Sequence, residues 1–162
     1  MVDIGPTLLD LAGVPVPEYM DGHSWKPFLL APPETGGGSG GSASRVVVPG
    51  EAAAWRDVAL VEYQSVRTYG GRHQIDGPNN TYIALRIVNS THELLYAEFT
   101  DVSRAANWDF GEGTINFYEL YNITADYFQL TNIYATADDG LKEALHKQLH
   151  RMFRCSGQAA CP

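Results

Sequence analysis

The chain has 162 residues, 44% of them hydrophobic and 19% charged, with a formal net charge of −8. That balance belongs to one ordinary globular domain and excludes a disordered polypeptide. It also argues against nucleic acid as a partner, because no Lys/Arg cluster occurs outside the last predicted helix, and no apolar stretch is long enough to span a membrane as a helix.

Met1 is followed directly by Val2, Asp3, Ile4, Gly5 and Pro6. This reads as the start of a helix in mid-domain and not as a signal peptide, so a truncated chain or a misplaced start codon is expected. Pro6 to Gly13 forms a short predicted helix, with proline in its first turn and Gly13 suited to a left-handed end. Val14-Pro15-Val16-Pro17 cannot continue it. Asp21-Gly22 marks a turn, after which Ser24 can cap a brief helical turn carrying Trp25, Phe28 and Leu29. Residues 31–50 collapse into Pro, Gly and Ser and read as a flexible linker or loop, natural or engineered.

Strand patterns follow. Val58–Tyr63 is the first and Thr81–Val88 the clearest, rich in β-branched and aromatic side chains. Asn89-Ser90-Thr91 supplies turn chemistry, and Glu93–Phe99 returns as an antiparallel partner. Ile115–Tyr121 is a fourth strand. From about Gly140 to Arg154, Leu141, Leu145, Leu149 and Met152 recur at helical spacing. Asp138 and Asp139 sit where carboxylates favour a helix start, so they read as caps and not as metal ligands. The expected fold is α+β: a four-stranded antiparallel sheet with the C-terminal helix packed on one face.

Several side chains invite a chemical reading. Cys155 and Cys161 fit a local disulfide in an oxidising compartment, two unpaired thiols being the alternative. The sequons at Asn79, Asn89 and Asn122 point to the same secretory route. His146 and His150 lie one helical turn apart and can in principle chelate zinc, but no third ligand is evident, so a solvated basic helix face is expected. Glu62, Arg86 and Glu98 interrupt apolar strand patterns and are expected to face solvent. The alternative is that Arg86 or Tyr63 contacts a ligand, Arg being suited to an oxyanion through its planar fork. His73 and His92 are further candidates for substrate contact, although plain loop and strand-end roles are the expectation. The aromatics from Tyr118 to Phe128 read as core.

Taken together, these segments resemble the C-terminal region of type I sulfatases. Ile4–Gly13 is similar to a helix late in that family's catalytic domain, and Met20-Asp21-Gly22-His23-Ser24-Trp25-Lys26-Pro27-Phe28-Leu29 to the turn that follows it. Tyr118-Glu119-Leu120-Tyr121-Asn122-Ile123-Thr124-Ala125-Asp126 with Gln129-Leu130-Thr131-Asn132-Ile133 resembles the family's "ELYNLTxDPxQxxNI" segment, with Tyr127 in place of the usual proline. Leu60-Val61-Glu62-Tyr63-Gln64 and the ending Cys155-Ser156-Gly157 with Cys161 resemble the N-acetylglucosamine-6-sulfatases. Asn79 to Arg86, and Glu98-Phe99, resemble both that branch and the extracellular heparan endosulfatases.

The resemblance implies that residues 1–30 are the tail of a catalytic domain, 31–50 a linker and 51–162 a C-terminal subdomain of an alkaline-phosphatase-like fold. It implies a sulfuric ester hydrolase of glycosaminoglycans, lysosomal or extracellular, whose formylglycine nucleophile and calcium are supplied upstream. Here neither cysteine lies in Cys-x-Pro-x-Arg, so no catalytic residue or metal ligand is carried over. The chain alone is expected to be inactive, with the missing N-terminal sulfatase domain as its partner and sulfated glycan as the substrate of the whole. Tyr63, Arg86 and His92 are the candidate substrate contacts. A non-catalytic secreted module that binds glycan or protein is the competing reading, and a phosphoesterase of the same superfamily is a third.

Overall fold

The computed structural model describes residues 2–30, 56–65, 77–100, 108–111 and 113–161. The predicted linker at 31–50 and His73 lie outside the described residues. Two compact units emerge: Met1–Arg56 with Cys155–Pro162, and Asp57–Arg154.

In the first unit, helix α1 spans Ile4–Leu11 and helix α2 spans Lys26–Leu29. Gly13 ends α1 with φ +72°, as its position predicts. Thr7 ties the two segments together: its hydroxyl donates to the Asp3 carbonyl at 2.6 Å and accepts from the Trp25 N–H at 2.9 Å. The Asp3 carboxylate accepts from the His23 N–H at 2.8 Å and pairs with Arg56. Gly22 lies so close to the preceding chain that an added Cβ would meet the Val2 carbonyl oxygen at 2.2 Å, which accounts for glycine at that turn. Trp25, not Ser24, is the N-cap of α2; the Ser24 hydroxyl accepts from the Lys26 N–H at 3.1 Å, a local turn just ahead of the helix. Leu8, Leu11, Trp25 and Leu29 remain exposed.

The Lys26 ammonium donates to the Asp10 carboxylate at 2.8 Å. That bond and one from Ser24 hold the Asp10 carboxyl below its ordinary 3.8. A depressed folded-state value stabilises the fold above the unfolded-state value, and the contribution fades as pH falls through the folded one. In a Lys26→Met chain the Asp10 midpoint, followed by carboxyl NMR, should rise toward the ordinary range. An unmoved midpoint would mean that the pair has no electrostatic effect.

The second unit is a four-stranded meander of β1 (Val58–Tyr63), β2 (Tyr82–Val88), β3 (Glu93–Thr100) and β4 (Ile115–Asn122), in the order β1-β2-β3-β4. All three pairings are antiparallel, with Leu60 opposite Leu85, Leu85 opposite Tyr96 and Tyr96 opposite Leu120. This cross-strand row and the flanking Ile83, Ile87 and Leu94 face helix α3 (Asp139–Arg154), whose Leu145, Leu149 and Met152 complete the core. Asp138 accepts from the Leu141 N–H at 3.1 Å, so it caps α3 as expected. Leu141 lies at the margin of the apolar stripe, 38% exposed. The α+β architecture read from the sequence is the one observed.

Candidate functional site

Glu98 occupies the same cross-strand row as Ile83 and Tyr118, on the sheet face that α3 covers. Its side chain is 0% exposed. The expectation that it faces solvent is therefore corrected. Both faces of β3 are apolar (Leu94 and Tyr96 on one, Leu95, Ala97 and Phe99 on the other), so alternation alone could not tell which face a charge at position 98 shares.

Among the described residues, three side chains meet this carboxylate. The Tyr96 hydroxyl donates to Oε1 at 2.6 Å. His146 Nδ1 lies 2.7 Å from Oε1 and His150 Nε2 lies 2.8 Å from Oε2. The two imidazole centroids are 4.2 Å apart, as spacing of four residues on one helix allows. His150 is nearly enclosed, whereas the His146 side chain is 50% exposed. The predicted solvated basic face is thus corrected for the two histidines, which border the Leu145–Leu149 stripe and lean inward onto Glu98, whereas Lys147 is exposed and pairs with Glu143 on its own helix.

Tyr134 stacks on Tyr118 at 4.6 Å and 4° beside this cluster. Burial, followed by the hydrogen bond to Glu98, pushes the Tyr96 phenol far above the ordinary tyrosine value. Burial and the Glu98 charge also raise Tyr118 and Tyr134. All three phenols therefore stay neutral across the physiological range. The site is a buried carboxylate held by one phenol and two imidazoles, walled by aromatic rings.

The predicted substrate residues lie elsewhere in the same unit. Arg86 and Tyr63 share the opposite face of the sheet. Tyr63 begins a row of rings, Tyr63–Tyr82–Phe99–Phe117, with successive centroids 5.6, 5.0 and 5.5 Å apart. Tyr82 and Arg86 are four residues apart, about 13 Å of strand. Arg86 pairs with Glu93 and donates to the Ile87 carbonyl at 2.7 Å. His92 lies in the β2–β3 turn, where its ring meets Thr91 Oγ1 at 2.9 Å and its N–H donates to Asn89 Oδ1 at 3.0 Å. Tyr63 is thus separated from Arg86 and His92. Glu62 is exposed, as expected, and Arg86 is partly so.

Of the sequon asparagines, Asn79 is exposed in a 3-10 turn. Asn89 organises the β2–β3 turn, and Asn122 ends β4, accepting from the Ala125 N–H at 3.2 Å. The "ELYN…NI" segment proves to be architectural. Asn132 Oδ1 accepts from the Leu120 N–H at 3.1 Å, its Nδ2 donates to the Tyr118 carbonyl at 2.9 Å, and the Ile133 N–H donates to the Leu120 carbonyl at 2.9 Å. The side chain and backbone of this segment thereby satisfy the edge of β4. The Asp126–Gln129 turn closes at 3.0 Å without proline. It leaves Tyr127 76% and Phe128 77% exposed, so the core reading holds for Tyr118, which packs against the core, and fails for these two, while Tyr121 is partly buried on the opposite face of the sheet. A tight turn has no second layer to cover its side chains.

Cys155 and Cys161 are joined, with Cα atoms 5.2 Å apart. The formylglycine and calcium that the resemblance implies do not fit the residues described. The two cysteines are bonded to each other, and the donor cluster at Glu98 carries two imidazoles where calcium takes oxygen.

No family model matches the chain. Over 178 aligned residues it is 30% identical to the N-acetylglucosamine-6-sulfatase of Homo sapiens, covering 96% of this chain and 26% of that protein. The Bos taurus protein of the same name gives the same identity and coverage. An extracellular sulfatase homolog of Drosophila melanogaster is 36% identical over 81 residues, 50% of this chain and 6% of that protein. The chain thus spans about a quarter of the length of the first of these relatives.

Proposed function

We propose that this chain, a relative of N-acetylglucosamine-6-sulfatase along 96% of its length, works as the C-terminal subdomain of a longer sulfuric ester hydrolase. The observation that carries the reading is that near-complete match to a 26% share of a sulfatase. The substrate class is a glycosaminoglycan bearing N-acetylglucosamine 6-sulfate, as in heparan or keratan sulfate. Nucleophile and calcium belong to the upstream portion, since neither cysteine here precedes a Pro-x-Arg pair. The similarity does not favour a free-standing binding module. A lysosomal or extracellular setting is supported by the disulfide, the three sequons and the kinship with extracellular sulfatases. Among the described residues no helix is long and apolar enough to cross a membrane.

The test is sulfate release from N-acetylglucosamine 6-sulfate, measured by ion chromatography, for this chain and for the longer polypeptide. Release by the longer polypeptide and none by the chain is expected. Release by the chain alone, or by neither, overturns the reading.

Within that enzyme Arg86 borders the substrate. It is partly exposed, and its guanidinium fork suits a sulfate oxygen pair. A charged hydrogen bond is worth about 1.5–3 kcal/mol. Arg86→Ala should therefore lower kcat/KM of the longer enzyme by roughly ten- to a hundredfold. Unchanged efficiency removes Arg86 from the site.

A further inference from the structure

We propose that Glu98, His146 and His150 form a binding site for one zinc-class divalent cation, pinning α3 to β3 and leaving a coordination position open beside His146. Nothing in the sulfatase reading requires this site, and its donor chemistry differs from that of a calcium centre.

Two imidazole nitrogens and one carboxylate oxygen lie within 4.8 Å of one another. Two histidines four apart on a helix, with a carboxylate from a neighbouring element, give the His2Glu set found at zinc sites that keep a fourth position for water or ligand. Imidazole suits zinc, copper and nickel, whereas calcium and magnesium take oxygen.

Zinc–nitrogen bonds of about 2.0–2.1 Å and zinc–oxygen bonds of about 2.0–2.2 Å at tetrahedral angles place N and O roughly 3.4 Å apart. The N···O separations are now 2.7 Å to Oε1 and 2.8 Å to Oε2, and the three donors lie within 4.8 Å of one another. Loading the site therefore lengthens these contacts by roughly 0.6–0.7 Å and draws both imidazoles to one centre, a rearrangement open to a half-exposed His146. The Tyr96 hydroxyl donates to Oε1 at 2.6 Å, the kind of outer partner that orients a metal-ligating carboxylate.

Glu98 is 0% exposed, and a buried carboxylate demands a compensating cation. Among the described residues its hydrogen-bond partners are Tyr96, His146 and His150, none of them a lysine or arginine, with the stacked rings of Tyr118 and Tyr134 beside them. A divalent cation between the two imidazoles and the carboxylate would supply that charge. The exposed edge of His146 gives the ion its entry path.

The experiment uses the full chain, purified without a polyhistidine tag and stripped by chelator. Zinc chloride is titrated by calorimetry, and cobalt chloride is followed by its visible d–d absorption. One zinc per chain and intense four- or five-coordinate cobalt bands are expected. His146→Gln and His150→Gln keep a hydrogen-bond donor for Glu98, so folding, checked by circular dichroism, should survive. Each should weaken zinc by at least about tenfold. The triple variant Glu98→Leu/His146→Leu/His150→Leu provides an apolar version of the site that should take up no cobalt in this form. Absence of binding by the native chain overturns the proposal, as does zinc retained equally by both Gln variants. Either result leaves the sulfate-release test untouched.

Discussion

Replacing Leu149 by alanine should lower the melting temperature of the chain by roughly ten degrees or more. Leu149 is 0% exposed and lies in the same core cluster as Leu145, Leu85, Tyr96 and Leu120. Truncating a leucine at such a position removes transfer free energy and leaves a cavity, together worth about 2–5 kcal/mol. For a unit of this size each kcal/mol moves the midpoint by about 4–8 °C. Leu141→Ala, on the same helix but at the exposed margin, should cost well under half as much. Equal shifts from the two variants would mean that α3 does not present the face described.

The second large effect is at Glu98. Removing both imidazoles, as His146→Leu/His150→Leu, leaves the buried carboxylate with the Tyr96 hydroxyl as its partner among those described. Losing two hydrogen bonds to a charged buried group should cost about 3–5 kcal/mol in metal-free buffer. Adding Glu98→Leu should return most of that loss, because the penalty belongs to an uncompensated charge and not to the missing rings. Chemical denaturation of the native, double and triple variants measures this. A triple variant no more stable than the double would show that the histidines act through packing alone.

Most of the fold was legible in the sequence because its strands carry strong local signals. The four strands and the last helix fall within a residue or two of their expected limits, since β-branched runs, the Asn89-Ser90-Thr91 turn and the Asp138 cap each mark an edge. The candidate site was legible only in part. His146 and His150 were visible as a pair, but their third partner lies 48 residues from His146. Pairing it with them required knowing which face of β3 receives α3, and a strand apolar on both faces withholds that information. Tyr127 and Phe128 misled for a related reason. Aromatic character predicts burial only where another layer exists to bury it, and the Asp126–Gln129 turn leaves both rings exposed.

The meander order has a consequence for how the protein is made. Each strand pairs with the one synthesised just before it, so the sheet can zip up as it leaves the ribosome. The helix that covers its apolar face is encoded after all four strands. At about 5–20 residues per second, the 32 residues from Asn122 to Arg154 take roughly 2–6 s to appear. For that interval the nascent sheet carries Ile83, Leu85 and Leu120 uncovered by α3, a natural target for a chaperone of the translating compartment.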